Sequence, residues 1–173
     1  MYKLSIRHFP PIKKISRREK VNEDAIIEHM KKCVKKDPAV IQKFKEYNIP
    51  IDKIDGVFVK FDDLDVSAKT KNKKIYLNRK MLNPDSEIKD PTHYLAHELT
   101  HWLQQICNNT QGHAVEDYLS KPTEEEAFQV QIDFKERNEG EKEADRYVEE
   151  LLDHHDKKGK EREKIKEKLT END

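Results

Sequence analysis

The sequence predicts an α+β fold: a small, mostly antiparallel sheet beside one central helix, with further helices towards the C-terminus. Three observations lead there. Residues 56–61 and 73–78 are rich in β-branched and aromatic side chains, and residues 66–69 form a third short run between them, the make-up of strands. Residues 93–107 carry Leu95, Leu99, Trp102, Leu103 and Ile106, at i, i+4, i+7, i+8 and i+11, which is one stripe of a helix. Beyond residue 122, apolar side chains again recur at helical spacing. A chain of 173 residues, 34% hydrophobic and 40% charged, with a mean hydropathy of -1.07, fits one domain with a modest core. That domain is expected over residues 1–155, with 1–20 an extended basic lead-in and 156–173 a charged, solvated tail.

In chain order, Pro10-Pro11 and the cluster Lys13, Lys14, Arg17, Arg18, Lys20 make the lead-in. Ala25, Ile26, Met30 and Cys33/Val34 keep helical spacing, Asp37-Pro38 interrupts it, and Val40, Ile41, Phe44 and Tyr47 resume it. Two short helices covering one side of the sheet are expected. Polar Thr70-Lys71-Asn72 supplies a turn between the second and third strands. An edge of this sheet offers backbone hydrogen bonds to an extended peptide, a sequence-tolerant way to hold a substrate.

The central helix contains His97-Glu98-Leu99-Thr100-His101, the H-E-x-x-H pattern. Four residues advance a helix by about 400°, so the two imidazoles lie about 40° apart and one turn apart. Both can reach one zinc ion, with Glu98 as general base. Asp90 suits the N-cap, Pro91 and Thr92 the first turn, and Asn108-Asn109 the stop. The histidines face away from the leucine stripe with small Ala96 and Thr100 between them, where a second element could pack closely. His93 extends the row, but positions i, i+4 and i+8 span about 12 Å, too far for one tetrahedral ion. It is expected as a supporting or surface histidine.

A polar connector over 108–121 contains Gly112, His113 and Tyr118, and Pro122 then opens a helix whose first turn holds Glu124, Glu125 and Glu126. Glu124, Ala127, Gln131 and Phe134 share one face. If Ala127 and Phe134 pack inward, Glu124 is carried inward with them, and a buried carboxylate is well partnered by a divalent cation. Glu124 is therefore the expected third ligand. Glu141, in a second E-x-x-A-D stretch, is its rival, and Glu125 and Glu126 remain alternatives.

These stretches resemble zincin metallopeptidases of the gluzincin type, over roughly residues 56–150. In that family the H-E-x-x-H helix follows a small sheet, and a glutamate in an E-x-x-A stretch on a second helix completes the zinc site. His97, Glu98 and His101 match the first element, and Glu124 to Ala127 the second. The resemblance implies zinc held by His97, His101 and Glu124, and peptide-bond hydrolysis by a zinc-activated water with Glu98 as base. It also implies a tyrosine or histidine that stabilises the oxyanion, for which Tyr118 and His113 are candidates. The metzincin pattern is absent: Cys107 stands where its third histidine would fall and Gln104 where its glycine would.

Lys+Arg 34 against Asp+Glu 35 leaves a net charge of -1, so no global field attracts nucleic acid or an anionic membrane. The N-terminus lacks the apolar core of a signal peptide and no run is long enough to span a bilayer. Two cysteines, Cys33 and Cys107, make no disulfide framework, and both are expected as inert packing residues. A cytoplasmic metalloprotease acting on a peptide or protein is the expectation. The competing readings are a non-catalytic module of the same shape that binds a partner through its sheet edge, and a helical interaction protein whose motif is accidental. His154-His155 offers a further place for a metal near the tail.

Overall fold

A computed structural model of the chain describes residues 22–86, 90–108 and 118–170. The basic lead-in and His113 lie outside the described residues. Helix α1 (Glu23–Val34) starts on Asn22, whose side chain accepts from the Ala25 amide at 3.1 Å. Helix α2 (Pro38–Glu46) starts on Asp37, with proline in its first turn. Asp37 is 5% exposed and accepts from the Ala39 amide at 2.9 Å and from Arg137 at 2.8 Å. One buried carboxylate thus caps α2 and ties it to a later helix.

Strands β1 (Val59–Asp62), β2 (Ala68–Lys71) and β3 (Lys74–Asn78) form one sheet in the order β1-β3-β2. The β2–β3 pair is an antiparallel hairpin. Its two-residue turn places Asn72 at φ 52 and Lys73 at φ 59, the left-handed pair that matches strand twist. The Lys73 amide donates to Gln105 at 2.8 Å, which helps hold a lysine in a conformation that usually favours asparagine or glycine. The β1–β3 pair is parallel, so the sheet is mixed, where a mostly antiparallel one was expected. The crossing segment between β1 and β2 is fixed by Asn78, whose amide donates to the Leu64 and Val66 carbonyls at 2.9 and 2.8 Å.

Helix α3 (Thr92–Ile106) crosses the sheet and carries the motif. Leu95, Leu99 and Leu103 are fully buried with Phe61, Ile75 and Leu77 of the sheet and Val34 and Phe44 of α1 and α2. Helix α4 (Pro122–Glu139) packs on the opposite flank of α3, where Ala96 and Thr100 are buried and small enough for close approach. Helix α5 (Glu141–His154) returns along α4 after Gly140, whose φ of 101 lets the chain reverse between two helices. Among the described residues no helix is long and apolar enough to cross a membrane.

The segment expected as a solvated tail, either helical or disordered, forms helix α6 (Gly159–Thr170), and the helix is packed rather than solvated all round. Ile165 and Leu169 are buried in a second cluster with Phe128, Ile132, Val148 and Leu152. Arg162 and Lys166 both pair with Glu149 of α5, so even the charged face is tied to the domain.

Candidate metal centre

The site forms where α3 meets α4. Two ring nitrogens come from one face of α3 and one carboxylate oxygen from the first turn of α4. His97 Nε2 and His101 Nε2 are 3.0 Å apart, and Glu124 Oε2 lies 3.2 Å from His101 Nε2 and 3.5 Å from His97 Nε2. Ligand atoms about 2.0–2.1 Å from a tetrahedral ion stand about 3.3 Å from one another, and the three separations bracket that spacing. Two imidazoles and a carboxylate are also a donor set suited to zinc. Among the described residues, these three form the only such group that could hold a metal ion.

Glu124 reaches the histidines for the reason its spacing suggested. Ala127, Gln131 and Phe134 on its face of α4 are all buried, and the carboxylate is carried in with them. Glu141 is exposed at the start of α5, and Glu126 turns towards Lys43 and Tyr47. Lys168 of α6 takes up Glu125.

Charge pairing within the cluster shifts how its groups titrate. Burial acts to lower the His101 pKa, but the hydrogen bond and charge of Glu124, with Glu98 and Gln104 adding, carry it up to about 9. Burial likewise acts to raise Glu124, yet His101, His97 and the Tyr118 hydroxyl hold it well below the usual carboxylate range. The proton that Glu124 favours on His101 is what a divalent cation would displace.

Glu98 is 4% exposed. The Thr70 hydroxyl on β2 lies 2.6 Å from its carboxylate and 3.0 Å from its carbonyl. Its charge acts on both His101 and Tyr118. Tyr118 sits in a short turn ahead of α4, hydrogen-bonded through its hydroxyl to Glu124 and stacked on His155 at 5.4 Å. Burial first, then Glu124, pushes its pKa up, so the phenol keeps its proton.

The two histidines of this group are supported differently. His101 Nδ1 lies 2.8 Å from Gln104 Oε1. Buried His97 Nδ1 has no hydrogen-bond partner among the described residues, and the ring is wedged against Phe128 at 4.6 Å between centroids. His93 lies outside the metal group and is no surface residue: it is 4% exposed, with Gln131 Nε2 2.7 Å from its Nδ1. Burial, with Lys135 and His97, lowers its pKa to about 3. The histidine side of α3 is thus covered too, with His93 and His97 buried and His101 half-buried. His154-His155 contributes to no metal group among the described residues, and both cysteines are free, Cys107 exposed rather than packed. Thr70 and Gln104 were missed as site residues. A threonine on a strand and a glutamine one turn past a histidine carry no signal until the fold brings them together.

Residues 60–108, from β1 to the end of α3, match the eCIS core domain, a zincin-like family related to metallopeptidases. The match includes Glu98 and both histidines and ends before Glu124. No curated protein and no solved structure matches the chain.

Proposed function

We propose that the chain is a zinc-dependent peptidase of the gluzincin type, with His97, His101 and Glu124 as metal ligands and Glu98 as the general base. The observation that carries this reading is the convergence of three donor atoms at tetrahedral spacing beside a buried glutamate of the same helix. When bound, zinc supplies Lewis acidity, lowering the pKa of water towards 7 and polarising a carbonyl oxygen. Glu98 accepts a proton from water as its oxygen attacks the scissile carbonyl, and returns that proton to the departing amine nitrogen. Thr70 orients the Glu98 carboxylate for both transfers. The protonated Tyr118 hydroxyl, next to Glu124, is the donor available to the oxygen on which negative charge develops.

The test is zinc content together with cleavage of a mixed peptide set by the purified chain. About one zinc per chain, as three converging ligands require, with peptide cleavage that a chelator abolishes and zinc restores, is the expected result. Zinc binding with no cleavage would favour the non-catalytic module, and a chain that takes up no zinc would overturn the metal centre.

A further inference from the structure

Gln104 is 2% exposed and makes three polar contacts. Its Nε2 lies 2.7 Å from Glu126 Oε2 and 3.0 Å from the Thr123 carbonyl, and its Oε1 lies 2.8 Å from His101 Nδ1. The first two partners only accept. Glu126 is itself fixed by Lys43 at 3.2 Å and by the Tyr47 hydroxyl at 2.9 Å, both donors. The Gln104 amide nitrogen must therefore face Glu126 and Thr123, and its carbonyl oxygen must face His101. An oxygen there can only accept, so His101 Nδ1 carries hydrogen and donates. That leaves Nε2 as the nitrogen able to offer a lone pair to a cation.

We infer that Gln104 is a positioning residue for the metal centre, set in its one useful orientation by Glu126, and that Lys43 and Tyr47 extend this support to α2 and the residue at its C-terminal end. The inference rests on the metal reading of His97, His101 and Glu124. It assigns a role to α2: Lys43 and Tyr47, the residue that ends the helix, hold Glu126, Glu126 holds Gln104, and Gln104 fixes both the ring plane and the protonated nitrogen of His101. His97, whose Nδ1 lacks such a partner among the described residues, has its ring packed against Phe128 instead.

The test is a cycle of zinc dissociation constants, measured by competition with a chromophoric chelator, for wild type, Gln104→Ala, Glu126→Ala and the double variant. Gln104→Ala should weaken zinc about 10–100-fold, the usual cost of losing a group that orients a metal-bound histidine. Glu126→Ala should weaken it at least about 3-fold in the wild-type background and by less than about 2-fold once Gln104 is gone, because it acts through that residue. Equal effects of Glu126→Ala in both backgrounds, or none in either, would overturn the inference while leaving the metal centre standing. Failure of the wild type to bind zinc would remove both. A second measurement needs no variant: in the zinc-loaded wild type, the His101 Nδ1 proton should exchange with solvent more slowly than that of His97 by nitrogen-edited NMR. Faster exchange at His101 contradicts the inference.

Discussion

At the scale of single residues, the account rests on which carboxylate and which ring nitrogens converge. Glu124→Ala should weaken zinc binding by at least 10-fold, roughly the scale of losing one supporting metal contact or more, while Glu141→Ala leaves it unchanged. Equal affinity in Glu124→Ala and wild type would remove Glu124 from the ligand set. The proton on the metal-free cluster gives a pH prediction. His101 is raised to about 9, so at neutral pH zinc must displace a proton, and affinity should climb as pH rises towards 9. Calorimetric titrations in buffers of different ionisation enthalpy would show that proton release, and its absence near pH 7 would contradict the raised His101 pKa. For the metal-free fold the same shift acts in the opposite sense. The stability His101 gains from Glu124 is fully present below its unfolded pKa of about 6.5 and is lost as pH rises through 9. His93, lowered to about 3, must be neutral when folded. Between about pH 6.5 and 3 the unfolded chain holds a proton that the folded chain lacks, so stability should fall by up to ~1.4 kcal/mol per pH unit on acidification. Urea midpoints at pH 7 and 4.5 should converge for His93→Gln relative to wild type, and an unchanged acid slope would discount His93.

At the scale of elements, periodicity made α3 legible, because Leu95, Leu99 and Leu103 needed only one partner surface to declare a face. It also made Glu124 legible, since Ala127 and Phe134 fix which side of α4 turns inward. Small Ala96 and Thr100 left room for a second element on the other flank of α3, but periodicity could not show how completely His93, Thr100 and Gln104 are buried there, because part of that cover comes from polar pairing with α4. The parallel β1–β3 pair was hidden for a similar reason. Strand composition is blind to the crossing segment that Asn78 pins through two backbone carbonyls. The burial of α6 was missed because two apolar residues four apart in a Lys/Glu run look like a solvated helix, yet both are buried. Ile165→Ala and Leu169→Ala should each destabilise the chain by about 2–5 kcal/mol in urea unfolding, as for other buried aliphatic truncations. Changes within about 0.5 kcal/mol, typical of surface sites, would restore the solvated tail.

At the scale of the whole molecule, two apolar clusters flank the candidate metal centre. One joins α1, α2, the sheet and the leucine face of α3 with Val130 and Phe134 of α4. The other joins Phe128 and Ile132 of α4 to α5 and α6. Helix α4 contributes to both, so the carboxylate at its start is placed by packing on either side of the site. Such a scaffold can hold a metal without doing chemistry, and what separates an enzyme from a binding module is Glu98. Glu98→Gln keeps the shape, the neighbouring Thr70 contact and all three ligands, and removes only the base. The decisive measurement is peptide cleavage by wild type and Glu98→Gln at matched zinc occupancy. The account predicts equal zinc content and hydrolysis lowered about 10²–10⁴-fold in the variant, the scale of general acid–base catalysis. Cleavage by Glu98→Gln at the wild-type rate would contradict it.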